Sequence, residues 1–338
     1  MSRRRRGGRR TCEHARCPDN NGISTLPATL FGYIWKASSR HQVGLCLLSV
    51  TVFLLSAVPL ELQRRIVNDA IGKGAVDTIL WLALAYAVVA LVEGAVKLWL
   101  NIYRSWVSER AVRRLRVGIG ELTGNALAAE DRAMAEGVEI SMILSESEPI
   151  GGFVGMSISE PLLQGGVLLS VFGYLAWLEP WMALLSVAVF SPQLVFVPLM
   201  QQAINRRAGA RIRTLREVSG KIVDAEGGDA ATMTTQNGRI DHVFTLNMGI
   251  FKLKFAMHFL MNLMHHLGVA TVLGVGGWYA VQGRIEVGTV VAFVSGLAKV
   301  NDPWGDLLNW YREMTVVDMR YRLVADAMRG MAQEKVPA

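Results

Sequence analysis

Apolar residues in this chain gather into runs of about 20, the length a membrane-spanning helix needs, with charge confined to the blocks between them. The runs are Val43 to Leu60, Thr78 to Leu100, Met156 to Trp177, Trp181 to Met200, Phe255 to Val281 and Thr289 to Ala327. A soluble helix would instead alternate an apolar stripe with a polar face at the 3.6-residue period. The pattern predicts an all-α membrane protein with six transmembrane helices over residues 41–328.

The connections fall into two kinds. Leu178-Glu179-Pro180-Trp181 is a tight turn that makes the third and fourth helices a hairpin, Gln282 to Gly288 is equally short, and Glu61 to Asp77 is short and amphipathic. The other two are long and remain helix-compatible. From Asn101 to Glu130 there is no proline, and Val107, Val112, Leu115, Ile119 and Leu122 recur at helical spacing. The second helix is therefore predicted to run about 50 residues, or about 75 Å, more than twice a hydrocarbon core. The fourth continues past Met200 through Arg206, Arg207, Arg211, Arg213 and Arg216, with kinks expected at Pro192 and Pro198. A Gly- and Thr-rich patch, Glu226 to Gly238, is expected to break the pattern before the fifth helix.

Charge then sets the orientation. Lys and Arg number nine up to Arg40, six from Arg104 to Arg132 and nine from Arg206 to Lys254, against three, none and one in the alternate connections. The positive-inside rule places both termini and the long loops in the cytoplasm of a multi-pass protein of the plasma or inner membrane. Residues 1–40 form an Arg-rich cytoplasmic tail and lead-in segment, without the apolar run of a signal peptide, and 329–338 form a short C-terminal tail. The Arg run fits anionic headgroups or a topology signal, and nucleic acid is not an expected partner. Cys12, His14 and Cys17 lack a second ligand pair, so no metal is expected, and Cys46 sits in an apolar run as a packing residue.

No G-x4-G-K-[ST] phosphate loop occurs. Ser219-Gly220-Lys221-Ile222 lacks both the earlier glycine and the hydroxyl, and falls in a predicted helix extension. No clustered nucleophile, base and oxyanion donor occurs either. The chain is expected to catalyse nothing and to hold no cofactor.

Polar residues inside the apolar runs point to a transport path or to ion pairs. Lys299, Asp302, Asp306 and Asn309 follow steps of three, four and three and share one helix face, with Lys299 about 15 Å into the helix. This stripe either lines a substrate cavity or is satisfied locally, Lys299 by Asp302. Glu93 and Lys97, at i and i+4, are expected to pair with each other, and His258, Asn262, His265 and His266 to hydrogen-bond between helices.

Four places carry a resemblance: Arg113-Arg114-Leu115-Arg116; Glu136-Gly137-Val138-Glu139-Ile140; Trp181 after its tight turn; and Gly276-Gly277-Trp278-Tyr279 with Gln282-Gly283-Arg284-Ile285-Glu286-Val287-Gly288-Thr289, followed by Pro303. Across Val43 to Met328 the chain resembles the transmembrane domain of ABC exporters of the type IV fold, also called the ABC transporter type-1 transmembrane region. The resemblance implies two short coupling helices that dock on cytosolic nucleotide-binding domains. By position they fall on Arg132, Glu136, Gly137 and Glu139 in the first inner loop and on Asp229, Thr232, Gln236 and Asn237 in the second. There Asp224 to Asn237 is Gly-, Ala- and Thr-rich, whereas the family carries a Glu, an apolar pair, a Gly and a basic-apolar stretch.

In such exporters the ATP-binding domain usually follows the sixth helix, and here the sequence runs only to Ala338. The expectation is a permease subunit, homodimeric or paired with a related transmembrane subunit, energised by ATP and Mg on a separate ATPase chain. The alternative is a non-transporting scaffold or regulator with a degenerate ABC transmembrane fold. An ion-driven carrier is disfavoured by the absence of inverted-repeat signals.

Overall fold

The computed structural model describes residues 27, 29–71, 76–124, 146–224 and 230–333, with the side chains of 70–71, 119–124, 216–224, 230–236 and 327–333 outside the description. Among the described residues every regular element is a helix. The order is α1 (Leu30–Arg65), a π-helical turn (Ile66–Ile71), α2 (Val76–Gly124), α3 (146–156), α4 (Ser159–Leu178), α5 (Pro180–Phe190), α6 (Gln193–Asp224), α7 (Ala230–Thr271), a second π turn (Val272–Gly276), α8 (Gly277–Val281) and α9 (Val287–Gln333).

Five segments are long and apolar enough to cross a bilayer: Leu30–Asp69, Val76–Gly118, Glu146–Leu178, Pro180–Leu215 and Asn237–Val281. The sixth expected span is a continuous helix of 47 residues, but it does not join that set. Lys299, Asn301 and Asp302 interrupt its apolar run at about the depth where the other helices are most apolar.

α2 shows what solvent the molecule is built for. No residue of its most apolar stretch is buried, while Leu80, Trp81, Leu84 and Leu91 are all more than half exposed. Water would penalise an apolar face of this size, whereas lipid tails do not. The protein is an integral membrane protein. At 49 residues α2 matches the expected length of about 50, or about 75 Å, and its described end is Gly124; residues 125–130 lie outside the description.

Three local expectations are revised. The lead-in segment is helical from Leu30, with one non-helical residue, Ser38 (φ −147, ψ 23), inside α1. The helix breaks at Ser191 and Pro192, between α5 and α6, but runs through Pro198 unbroken. Of the Gly- and Thr-rich patch, residues 230–238 are already helical, because α7 begins at Ala230, while residues 225–229 lie outside the description. Ala230 and Ala231 are the strongest helix formers, and Gly238 costs only about 1 kcal/mol inside a helix of 42 residues.

Contacts divide the chain into two units, one drawn from Val43–Arg104 and Met156–Arg312, the other from Met1–Gln42, Ser105–Gly155 and Glu313–Ala338. The first has a core of Leu60, Val171, Leu175, Met182, Phe293 and Leu297, which joins α1, α4, α5 and α9. α6 and α7 form an antiparallel pair, in which Arg207 Nη1 donates to the Gly249 carbonyl at 3.0 Å and Arg211 Nη1 to Asn247 Oδ1 at 3.2 Å. In the second unit Tyr33 and Tyr321 stack at 5.6 Å, Tyr321 Oη donates to the Pro27 carbonyl at 2.7 Å, and Ser108 Oγ donates to the Gly152 carbonyl at 2.7 Å.

The Val287-Gly288-Thr289 motif acquires a physical reason in the first unit. Gly288 N donates to Asn68 Oδ1 at 2.6 Å, Asn68 Nδ2 donates to Glu286 Oε2 at 2.5 Å, and Arg64 reaches the same carboxylate at 3.4 Å. A Cβ at Gly288 would collide with the Arg64 carbonyl and the Asn68 side chain. The start of α9 is thus clasped against the end of α1 at a distance that only glycine permits. Gly288→Ala is expected to cost about 1–3 kcal/mol by overpacking. Thermal unfolding in detergent checks it against Gly277→Ala, where nothing lies within 4 Å.

Candidate functional site

The four residues of the α9 stripe have separate environments. Lys299 Nζ donates to the Ser56 carbonyl at 2.8 Å and lies 3.9 Å from Glu93 Oε2. This corrects two expectations. Glu93 pairs with Lys299 rather than with its helix neighbour Lys97, and Lys299 is not neutralised by Asp302, which is exposed. The reason is depth: a half-buried ammonium in the apolar zone takes the carboxylate that shares its desolvated surroundings. Asp306 accepts from Gln164 Nε2 at 3.0 Å, and Asn309 is exposed.

Gln164 belongs to a polar cluster that the sequence reading missed. Its amide also donates to Glu160 Oε1 at 2.8 Å, Glu160 is ion-paired with Arg104, and Arg104 Nε donates to Ser159 Oγ at 2.8 Å. The Ser159 carbonyl accepts from Ser49 Oγ at 3.2 Å, and Trp310 Nε1 donates to the Ser157 carbonyl at 3.2 Å. The cluster ties α1, α2, α4 and α9 together. Arg104 and Ser159 are buried. Arg104 was counted among the exposed basic residues of an inner loop; the available signal was Glu160, a lone carboxylate inside an apolar run with no cation near it in sequence.

A cavity of about 320 Å³ opens between α4, α5, α6 and α9, at the lower end of the range for small-molecule pockets. Its walls are mainly apolar, with Phe172, Phe190, Leu194, Val300 and Trp304 prominent. The expected stripe does not line it; α9 contributes Val300, Asn301 and Trp304 from the adjoining face. Asn301 Oδ1, Trp304 Nε1 and Gln193 Nε2 are buried without a hydrogen-bond partner. The cavity abuts the helix break at Ser191 and Pro192, where Leu194 N donates to the Ser191 carbonyl at 3.0 Å and Phe196 N to the Pro192 carbonyl at 3.0 Å.

The proposed coupling residues are less accessible to description. Arg132, Glu136, Gly137, Glu139 and Asp229 lie outside the described residues, Thr232 and Gln236 lie in the first turns of α7 with side chains undescribed, and Asn237 is exposed on the same helix. On α7 the expected hydrogen bonding between helices is replaced at His265, whose Nδ1 is buried without a partner while its ring meets His266 edge-on at 5.5 Å.

No family model matches the chain. It is similar to the ATP-dependent lipid A-core flippase of Syntrophus aciditrophicus, 21% identical over 318 residues that cover 89% of this chain and 51% of that protein. The flippase of the same name from Salmonella typhimurium is 18% identical over 296 residues, 82% of this chain and 50% of its own length. That of Pectobacterium atrosepticum is 20% identical over 196 residues, 57% of this chain and 33% of its own. The chain is similar to ATP-dependent flippases. The relation runs through the apolar helices and agrees with the ABC-exporter resemblance carried by Gly276 to Thr289. The chain spans about half the length of the curated relatives it matches.

Proposed function

We propose that the chain is the membrane-spanning permease subunit of an ATP-driven ABC exporter of the type IV fold, with six spans, both termini in the cytoplasm, and an amphipathic lipid as cargo. The observation that carries this reading is that the similarity to ATP-dependent lipid A-core flippases covers 89% of the chain, most of its apolar helices included. In this reading α9 is the sixth span, and its polar residues are tolerated because it faces the bundle and the transport path. Two such subunits, identical or related, enclose the path. In this reading energy comes from nucleotide-binding domains, which carry the phosphate-binding loop that does not occur in these 338 residues.

The test is reconstitution in vesicles with the candidate ATPase and a headgroup-labelled phospholipid. ATP-dependent change in the labelled lipid accessible to a membrane-impermeant quencher is expected, and none without ATP. A well-folded complex that binds its ATPase but moves no lipid, labelled glycolipid or amphipathic dye would leave the scaffold reading in its place. In the same assay Lys299→Met with Glu93→Gln strands no lone charge, and transport is expected to fall at least tenfold. Unchanged transport would remove the α9 stripe from the path.

A further inference from the structure

Two helices of the unit that contains residues 1–42 and 105–155 present a basic and aromatic face, with the exposed Glu109 at its edge. Trp106, Arg110, Arg113 and Arg114 are exposed on α2 at spacings that keep them on one side of the helix. The Arg110 guanidinium carbon lies over the Trp106 ring, 5.2 Å from its centroid, and its Nη1 lies 3.2 Å from His41 Nε2 on α1. The His41 ring meets Trp106 edge-on at 5.2 Å. Arg114 Nη1 donates to the Ala37 carbonyl at 2.5 Å, next to the non-helical Ser38. The arginine thereby braces the kink, and the turn before it carries exposed Phe31, Trp35 and Lys36.

Depth says what this face meets. In the sequence His41 comes two residues before the apolar run Val43 to Leu60, and Trp106 comes six residues after the run Thr78 to Leu100, each run being about long enough to cross the hydrocarbon core. A hydrocarbon core is about 30 Å thick, and about 40–45 Å with its headgroups. The cluster therefore falls in the headgroup layer opposite the short turns, where tryptophan anchors and cations concentrate. Among the described residues three arginines, Arg110, Arg113 and Arg114, stand here against one nearby acid, Glu109, which leaves the face with a net positive charge.

We propose that this face binds the phosphate of an anionic phospholipid, with Arg110 and Arg113 as the principal cations, Trp106 holding the Arg110 guanidinium in place and the Ser38 kink laying Trp35 along the same layer. A guanidinium over an aromatic ring keeps its charge and several N–H donors, which suit the oxygens of a phosphate. The inference takes the position of the membrane from the proposed topology, but needs neither an ATPase nor a cargo.

The full chain in discs of phosphatidylcholine with a minor fraction of phosphatidylglycerol tests it, read by native mass spectrometry of the lipids retained. Saturable retention of phosphatidylglycerol over phosphatidylcholine is expected. Arg110→Gln with Arg113→Gln should weaken it roughly 30-fold, about fivefold for each charge withdrawn from the headgroup layer. Arg110→Lys with Arg113→Lys, which keeps the charge, should restore most of the retention and so separates lost charge from lost folding. Equal retention of the two lipids, or full retention by the Gln variant, would overturn the proposal. Millimolar inorganic phosphate should not displace the lipid; if it does so completely, the face is a phosphate site and not a lipid site. Failure of transport with retention intact would count against the proposed function and leave this inference standing.

Discussion

Arg104→Met is expected to be among the most damaging single substitutions in the membrane region. Arg104 and Glu160 expose only 10% and 15% of their side chains, so removal of the cation strands a carboxylate in the interior of the bundle. Breaking one side of a buried pair costs about 3–5 kcal/mol, because the remaining charge has been desolvated without its counter-ion. Gln164 would still donate to Glu160, but a neutral amide does not replace a guanidinium. The companion variant Arg104→Met with Glu160→Met should recover most of the loss, since a well-packed apolar pair is often neutral or stabilising relative to a buried ion pair. Apparent melting temperature in detergent, together with the yield of monodisperse protein, reads both. Equal damage from the single and double variants would show that the arginine acts through packing or through its bond to Ser159, not through charge.

The cluster also shows where reading the chain by itself reached its limit. The order of the long apolar helices is written locally: a run such as Thr78 to Leu100 has no other use than to meet lipid, and the exposed leucines of α2 agree. The continuation of α2 to Gly124 was legible for the same reason, as unbroken helical spacing without proline. Partner choice is not local. Glu93 has Lys97 one turn away, yet its counter-ion is Lys299, from a helix most of the chain distant. Arg104 carries the same sequence signature as the exposed arginines that follow it, and only the fold decides that Ser159 and Glu160 stand opposite.

The α9 stripe illustrates the difference between sharing a face and sharing a site. Its 3-4-3 spacing places the four residues along one helix face, yet Lys299 reaches Ser56 on α1 and Glu93 on α2 whereas Asp306 reaches Gln164 on α4. Periodicity could not show that the open volume lies beside Asn301 and Trp304 instead. A cavity forms where packing is incomplete, and here the interrupted helix at Ser191 and Pro192 is one of its walls. Nor could composition anticipate that α7 starts at Ala230, because glycine and threonine weaken a helix only by tenths of a kcal/mol to about 1 kcal/mol each, which packing overrides.

The second large effect is expected at Gly151, where α3 crosses α2. A Cβ added there would fall on the backbone nitrogen and Cα of Val112, as well as on its side chain. A flexible side-chain end can swing aside, but backbone within a continuous helix cannot, so Gly151→Ala must push the two helices apart. Ile150 and Phe153, fully buried on either side of Gly151, and Val112 itself would then lose contacts along the whole crossing. Overpacking of this kind costs about 1–3 kcal/mol and occasionally more, and the upper end is expected because nothing at this contact can yield. The adjacent Gly152→Ala is the control: nothing lies within 4 Å of its added Cβ, and alanine favours the helix by about 1 kcal/mol over glycine. The two variants differ by one position and one identical methyl group, so opposite shifts in apparent melting temperature, down for Gly151 and level or up for Gly152, isolate the close approach. Equal shifts would mean that α3 does not cross α2 at this point, and with it would go the packing that holds the Ser108 hydroxyl against the Gly152 carbonyl.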